Sequence, residues 1–187
     1  MRLEATLALP VSGQTSMASS RDRARLRSTF DQNYTRIWRF LRRMGVASDR
    51  ADDAAQQVFL IALEAMPRIR EGSERAFVYS TAVRTAHGIR RKGTREIPSC
   101  LIEGDPSPVP GPDQLADQKR AREALDAIIA SMDVDARTVF VLSELDGFTT
   151  PEIAELLDVP VGTAASRLRR ARERFQLLVR QFYGETP

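Results

Sequence analysis

The sequence predicts an all-α protein of two small helical domains joined by a flexible, acidic, proline-rich linker. Three observations predict it. Apolar residues recur at three- and four-residue spacing through most of the 187 residues, the period of amphipathic helices. No alternating apolar and polar run of useful strand length occurs. One stretch, IPSCLIEGDPSPVPGPDQLAD, has prolines at 98, 106, 108, 110 and 112 with Gly104 and Gly111 and no periodicity, as expected of a linker between folded units. The boundaries that follow are a disordered N-terminal segment (1–20), a first domain (21–96), the linker (97–117) and a second domain (118–187). The N-terminal segment is Ser/Thr-rich toward its end and holds a second Met at position 17, an alternative start.

In the first domain, Phe30, Tyr34, Ile37, Trp38 and Leu41 follow helical spacing, with Trp38 expected in the core and Gly45 closing the helix. The next helix is expected to start with Ser48 or Asp49 as its N-cap. In SDRADDAAQQVFLIALEAM, Ala51, Ala55, Val58, Phe59 and Ala62 share one face, and Asp52, Asp53, Gln56 and Gln57 fall outside it. This polar patch reads either as a solvated face or as an interface. After Pro67 and the loop RIREGSER, a helix from about Ala76 to Arg91 ends in RRKGTR, a basic end suited to phosphate contacts.

In the second domain, Leu125, Ile128, Ile129 and Met132 mark one amphipathic helix; Val139, Phe140, Leu142 and Leu145 mark another, ending at Asp146-Gly147. Thr149 and Glu152 have capping-box spacing with Pro151 in the first turn. The short helix that follows stops at Asp158-Val159-Pro160, and a last helix runs from Val161 or Gly162 to about Phe182. A short helix, a tight turn and a second helix rich in cations is the helix-turn-helix layout. Helical phase puts Ala164, Leu168, Ala171 and Phe175 on the packed side and Thr163, Ser166, Arg167, Arg170 and Arg174 on the other. Cations with small hydroxyls suit a helix laid in the major groove. Arg172 falls near the packed side, where its stem can snorkel.

Charge is segregated along the chain. Residues 21–96 hold 17 Lys and Arg against 9 Asp and Glu, and residues 97–117 hold four acids and no base. From 118 to 158 there are 4 bases against 9 acids, and from 159 onward 6 against 2. Two cationic segments separated by acidic material fit a polyanion gripped at two places, or two solvated helix faces. One His and one Cys exclude a His/Cys metal site and an internal disulfide, so no metal or cofactor is expected. No apolar run reaches the roughly 20 residues of a membrane span, and Leu3–Val11, broken by Glu4 and Pro10, is a poor secretory signal. The chain is read as cytoplasmic, with no membrane insertion. His87 has no second titratable partner at helical spacing and reads as a polar helix residue, and Cys100 sits in the linker without a partner, so neither reads as a sensor.

The run ALDAIIASMDVDARTVFVLSELDGFTTPEIAELLDVPVGTAASRLRRARERF resembles region 4 of the extracytoplasmic-function (ECF) group of sigma-70-family sigma factors, and RADDAAQQVFL resembles their region 2.2. The resemblance spans about residues 26–182, with the linker in the expected place. It implies sigma-2-like and sigma-4-like helical domains and a dissociable subunit of bacterial RNA polymerase, directing it to promoters. By the same resemblance, Asp52, Asp53, Gln56 and Gln57 match the surface that docks on the beta-prime clamp of core polymerase, so an interface outweighs a solvated face. The segment from Ile69 to Lys92 matches the part that opens the minus-10 element and captures a flipped base, with Ile69, Arg70, Arg84, Arg90, Arg91 and Lys92 as its DNA-binding candidates. Thr163, Ser166, Arg167, Arg170 and Arg174 match the reader of the minus-35 element. The beta flap and an anti-sigma factor are further implied partners. The linker acids Glu103, Asp105, Asp113 and Asp117 would thread the polymerase as a nucleic-acid mimic.

The chain departs from the family pattern at several places. Phe77-Val78 stands where Trp-Leu is frequent, Arg84 where Asn is common, Gly88 where Asp is common, and Ile69 where the loop is often aromatic. The base-capture pocket is therefore atypical. Ala164-Ala165 replaces a frequent Val followed by a cation, which shifts readout onto Arg167 and Arg170. Two rivals compete with a sigma factor. A polymerase-independent helix-turn-helix regulator leaves the Asp-Asp-Gln-Gln helix without a role. A helical adaptor leaves the arginine face merely solvated. No nucleophile constellation, acid–base pair or glycine-rich phosphate loop points to an enzyme.

Overall fold

The computed structural model describes residues 19–92 and 112–184. The expected disordered segment, up to Ala18, and the linker up to Gly111, with Cys100, lie outside the described residues. Seven α-helices account for nearly all of the rest: α1 Ser20–Arg43, α2 Ser48–Ala65, α3 Glu74–Lys92, α4 Pro112–Ser131, α5 Val134–Phe140, α6 Thr150–Leu157 and α7 Val161–Tyr183. Met66–Arg68 forms a 3₁₀ turn after α2, and Val141–Leu145 continues α5 as a π-helical turn. No strand occurs among the described residues. The last six residues of the expected linker are therefore helical, because Pro112 sits in the first turn of α4, where its missing N–H costs nothing.

Local signals account for most helix ends. Ser19 and Asp22 form a reciprocal capping box at the start of α1. The chain leaves α1 through Gly45 at φ 92°, a left-handed conformation that a side chain would strain. Ser48 proves to be the first helical residue of α2; Ala47 occupies the N-cap and offers no side-chain oxygen, so α2 begins without the expected cap. The Thr149–Glu152 capping box forms as expected, with the Thr149 N–H donating to Glu152 at 2.7 Å. Asp158 ends α6 at φ 53°, a left-handed residue other than glycine and a place where a short polar side chain is tolerated.

α1, α2 and α3 pack side by side around Ile37, Phe40, Leu41, Ala55, Val58 and Val78, all with no exposed surface. Trp38, expected in the core, is only partly buried, with the Arg42 guanidinium 5.9 Å from its ring centroid. In the second domain α7 packs across α5 and α6, and Phe175 stacks on Phe140 with centroids 4.5 Å apart. Burying these side chains supplies the main stabilisation, on the order of 25 cal/mol per Å² of apolar surface.

The two domains pack against each other. Arg43 on α1 pairs with the buried Asp126 on α4 at 3.2 Å. The buried Arg137 donates to the carbonyls of Ala130 and Met132 near the end of α4 and to that of Arg43 across the boundary. At the centre, Tyr79 of α3 donates to Asp146 Oδ1 at 2.7 Å and packs edge-on against Phe148. Arg75 donates to the Asp146 carbonyl and lies 4.2 Å over the Phe148 ring. Desolvation pushes the Asp146 carboxyl pKa up against the opposing pull of the Tyr79 hydrogen bond, and likewise raises that of Tyr79.

Candidate functional site

Three surfaces carry the residues singled out in the sequence. On α2, the buried face of Ala51, Ala54, Ala55, Val58, Phe59 and Ala62 leaves Asp52, Asp53, Gln56 and Gln57 exposed as one patch. Helical phase also places Leu60 in the middle of that patch, and it is 54% exposed. An uncovered leucine ringed by acids and amides has the make-up of a protein-docking site, an apolar anchor within a polar rim. The sequence reading missed Leu60, although the phase that defined the patch locates it.

The second surface is the loop between the 3₁₀ turn and α3. The Ser73 N–H donates to the Arg70 carbonyl at 3.0 Å, closing a tight turn with Gly72 at φ 87°. Arg70 is exposed on this turn, whereas Ile69 is 9% exposed, so its side chain anchors the loop and is not displayed. Along α3, Arg84, Arg90 and Arg91 are exposed. Arg84 reaches back toward Ser80 Oγ at 3.3 Å and Thr81 Oγ1 at 3.4 Å. Nothing is described of the Lys92 side chain. The cationic end of α3 also opposes the negative end of the helix dipole.

The third surface is α7. Ala164, Leu168 and Ala171 are buried on one side, as phase requires. Arg170 and Arg174 are exposed on the opposite side and make no ion pair within the described residues. Thr163 and Ser166 are half-buried near the helix start, and the Ser166 hydroxyl donates to the Thr163 carbonyl at 3.0 Å. Arg172 has its head group exposed and binds Glu144 through two nitrogens at 2.8 and 2.9 Å. Arg169 pairs with Glu173 at 2.8 Å, which neutralises the acid on this helix.

Arg167 stands apart from Arg170 and Arg174. Its guanidinium lies 3.9 Å from Asp135, and it shares a cleft of about 370 Å³ with Arg84, His87, Thr138 and Leu157. Residues that the family resemblance matches to two different DNA elements thus meet across the domain boundary. Their convergence could not be read from the sequence, since Arg84 and Arg167 belong to different domains.

Residues 29–96 match the family model for sigma-70 region 2, and residues 122–175 match that for sigma-70 region 4. The ECF RNA polymerase sigma-E factor of Escherichia coli (strain K12) is 32% identical over 139 residues, covering 68% of this chain and 73% of that protein. The chain belongs to the ECF family of RNA polymerase sigma factors. The ECF RNA polymerase sigma factor SigE of Mycolicibacterium smegmatis (strain ATCC 700084 / mc(2)155) is 23% identical over 158 residues, 83% of this chain and 62% of the relative. Two solved structures share the fold. CnrH in complex with the cytosolic domain of CnrY superposes with a TM-score of 0.64 at 20% identity over 88% of this sigma factor and 94% of that chain. The sigma factor RpoE in complex with the anti-sigma factor NepR from Bartonella quintana gives 0.64 at 20% identity over 82% and 96%.

As an ECF sigma factor, the protein directs core RNA polymerase to promoters for transcription initiation, and a polymerase-independent regulator is not favoured. None of the helices among the described residues is long and apolar enough to cross a membrane.

Proposed function

We propose that the three surfaces divide the work of initiation. The α2 patch of Asp52, Asp53, Gln56 and Gln57 docks on the beta-prime clamp of core polymerase around Leu60. The loop at Ile69 and Arg70, with Arg84, Arg90, Arg91 and Lys92 of α3, takes the minus-10 element and captures an unpaired base. The α7 face of Thr163, Ser166, Arg167, Arg170 and Arg174 reads the minus-35 element. The single observation that carries the reading of α7 is its sidedness, with Ala164, Leu168 and Ala171 buried and Arg170 and Arg174 exposed opposite them. Phosphate neutralisation by these arginines supplies affinity, and base-edge contacts from the helix start supply selectivity.

Melting follows from differential binding: a loop that holds only an unpaired base favours the open state by its affinity for it. The reading requires no covalent chemistry and a cytoplasmic site of action. It includes an anti-sigma factor as a partner, supported by the fold shared with the sigma factor RpoE, solved in complex with the anti-sigma factor NepR. It also includes contact between the second domain and the beta flap. The acidic linker as nucleic-acid mimic belongs to the same reading; neutralising Glu103, Asp105, Asp113 and Asp117 should then impair initiation.

The deciding experiment is in vitro transcription with purified bacterial core polymerase on genomic fragments. Promoter-dependent initiation and a stable core complex are expected; their joint absence would overturn the proposal. A second measurement isolates the α2 surface. Leu60→Ala is expected to weaken core binding about tenfold, the typical scale for an apolar anchor at a protein interface, while leaving the melting temperature of the free protein unchanged, because Leu60 packs little in the free fold. Equal core affinity for wild type and variant would remove Leu60 from the interface.

A further inference from the structure

The start of α1 is fastened to the loop proposed to capture the minus-10 base. The Arg25 guanidinium donates to the Ile69 carbonyl at 2.8 Å, where that loop begins, and to Glu74 Oε1 at 2.5 and 2.8 Å, where it ends. Asp22 lies on its third nitrogen at 3.4 Å. All three side chains are well enclosed, with 17% of Arg25, 14% of Asp22 and 13% of Glu74 exposed. One helical turn earlier, Arg21 pairs with Glu71 in the loop itself at 2.6 Å. The Ser19–Asp22 capping box holds this turn of α1 in helical form and orients Asp22 toward Arg25.

Between the two bonds that Arg25 makes, the chain turns through Arg70, Glu71, Gly72 and Ser73. Gly72 has nothing within 4 Å of where its Cβ would be, so packing does not hold the turn from that side. A polar groove of about 490 Å³ opens between α1 and this turn, with Arg25, Ser28, Asn33, Glu71, Glu74 and Arg75 among its lining. A loop that binds an unpaired base gains affinity when its shape exists before the base arrives, since the ordering entropy is then already spent. A guanidinium gripping both ends of a short loop provides that order, and its planar fork is the side chain suited to bridging two acceptors.

We infer that Arg25 is the positioning residue of the minus-10 loop: by bridging the Ile69 carbonyl and Glu74 it holds residues 69–73 in the form that receives the unpaired base. Arg25 lies ahead of the stretch that matches the region 2 family model, which begins at residue 29. The inference rests on the reading of that loop as the base-capturing element. Arg25 itself touches no base; it acts through the loop.

The test uses holoenzyme assembled from the full chain and purified core polymerase. The probe is the fluorescently labelled single-stranded non-template strand of a promoter that the wild-type holoenzyme transcribes. Arg25→Ala should weaken binding of this strand roughly tenfold, the scale of losing a charge-assisted, multiply bonded contact. Affinity for core and for a duplex carrying only the minus-35 element should stay at wild-type values. Arg25→Lys should fall between, because an ammonium cannot present the same fork. The double variant with Glu74→Ala should be no worse than Arg25→Ala alone if the two act as one unit.

Arg70→Ala separates this inference from the loop assignment on which it rests. If Arg70→Ala weakens strand binding and Arg25→Ala does not, the positioning role is wrong and the loop assignment stands. If neither changes strand binding, the loop assignment fails and takes the positioning role with it. If Arg25→Ala lowers core affinity and thermal stability in step with strand binding, Arg25 is only a structural residue and the inference is overturned.

Discussion

Replacing Arg167 and Arg170 together by alanine is expected to lower holoenzyme affinity for a minus-35 duplex by roughly 100-fold, since each well-placed arginine contact to a base edge is worth about 1–3 kcal/mol. If the pair instead holds phosphates, affinity falls across all sequences and the salt dependence of binding loses about two units of slope. A titration of labelled duplex against holoenzyme at several salt concentrations separates the two modes. Arg169→Ala and Arg172→Ala serve as controls. Their guanidinium groups are already bound by Glu173 and Glu144 within the protein, so each should lower binding far less than the double variant does. Unchanged promoter affinity in the double variant would return the arginine face to the role of a solvated surface.

The largest effect on stability is expected at Tyr79. This residue has no exposed surface, packs edge-on against both Phe40 and Phe148, and donates to a buried carboxylate across the domain boundary. Tyr79→Ala should cost about 3–5 kcal/mol, the range for removing a large buried aromatic side chain. Tyr79→Phe keeps the ring and should cost about 1–3 kcal/mol, the penalty for leaving a buried polar partner unsatisfied, because Asp146 Oδ2 already lacks a hydrogen-bond partner.

The same site sets a pH dependence. Burial raises the Asp146 pKa above its ordinary value, so folding favours its protonated form. Its contribution to stability is present in full below the unfolded-state pKa of about 3.9 and is lost as pH rises through the higher folded-state value. Thermal melts should therefore show Asp146→Asn, which stays neutral throughout, gaining on wild type as pH rises through that window. A constant difference between the two proteins at every pH would show that Asp146 does not titrate with folding.

Local chemistry made much of the fold legible. The Thr149–Glu152 box, the stop at Asp158-Val159-Pro160 and the buried stripe of Ala164, Leu168 and Ala171 depend on residues within a few positions of one another, and short-range rules describe such groups well. The same holds for the exposed patch on α2. Misplacements arose where a local signal admitted a second reading. Ser48 looked like a cap but became the first helical residue. Arg172 falls near the packed side by phase, yet its head group is exposed beside Glu144, a residue distant in sequence. The proline-rich composition suggested linker up to residue 117, although a proline at a helix start also suits a first turn.

By itself, the sequence determined that this is an all-helical chain with a helix-turn-helix, an acid-and-amide patch and two cationic segments, because helical period, caps and charge are properties of neighbouring residues. Only the tertiary structure decided that Arg25 grips both ends of a loop more than forty residues away, that Tyr79 and Asp146 close the boundary between the domains, and that Arg84 and Arg167 face one cleft. These pairings leave no periodic trace in the chain. Burial makes a hydrogen bond or ion pair strong by removing water from around it, and which polar groups share a dry site is settled only when the helices pack.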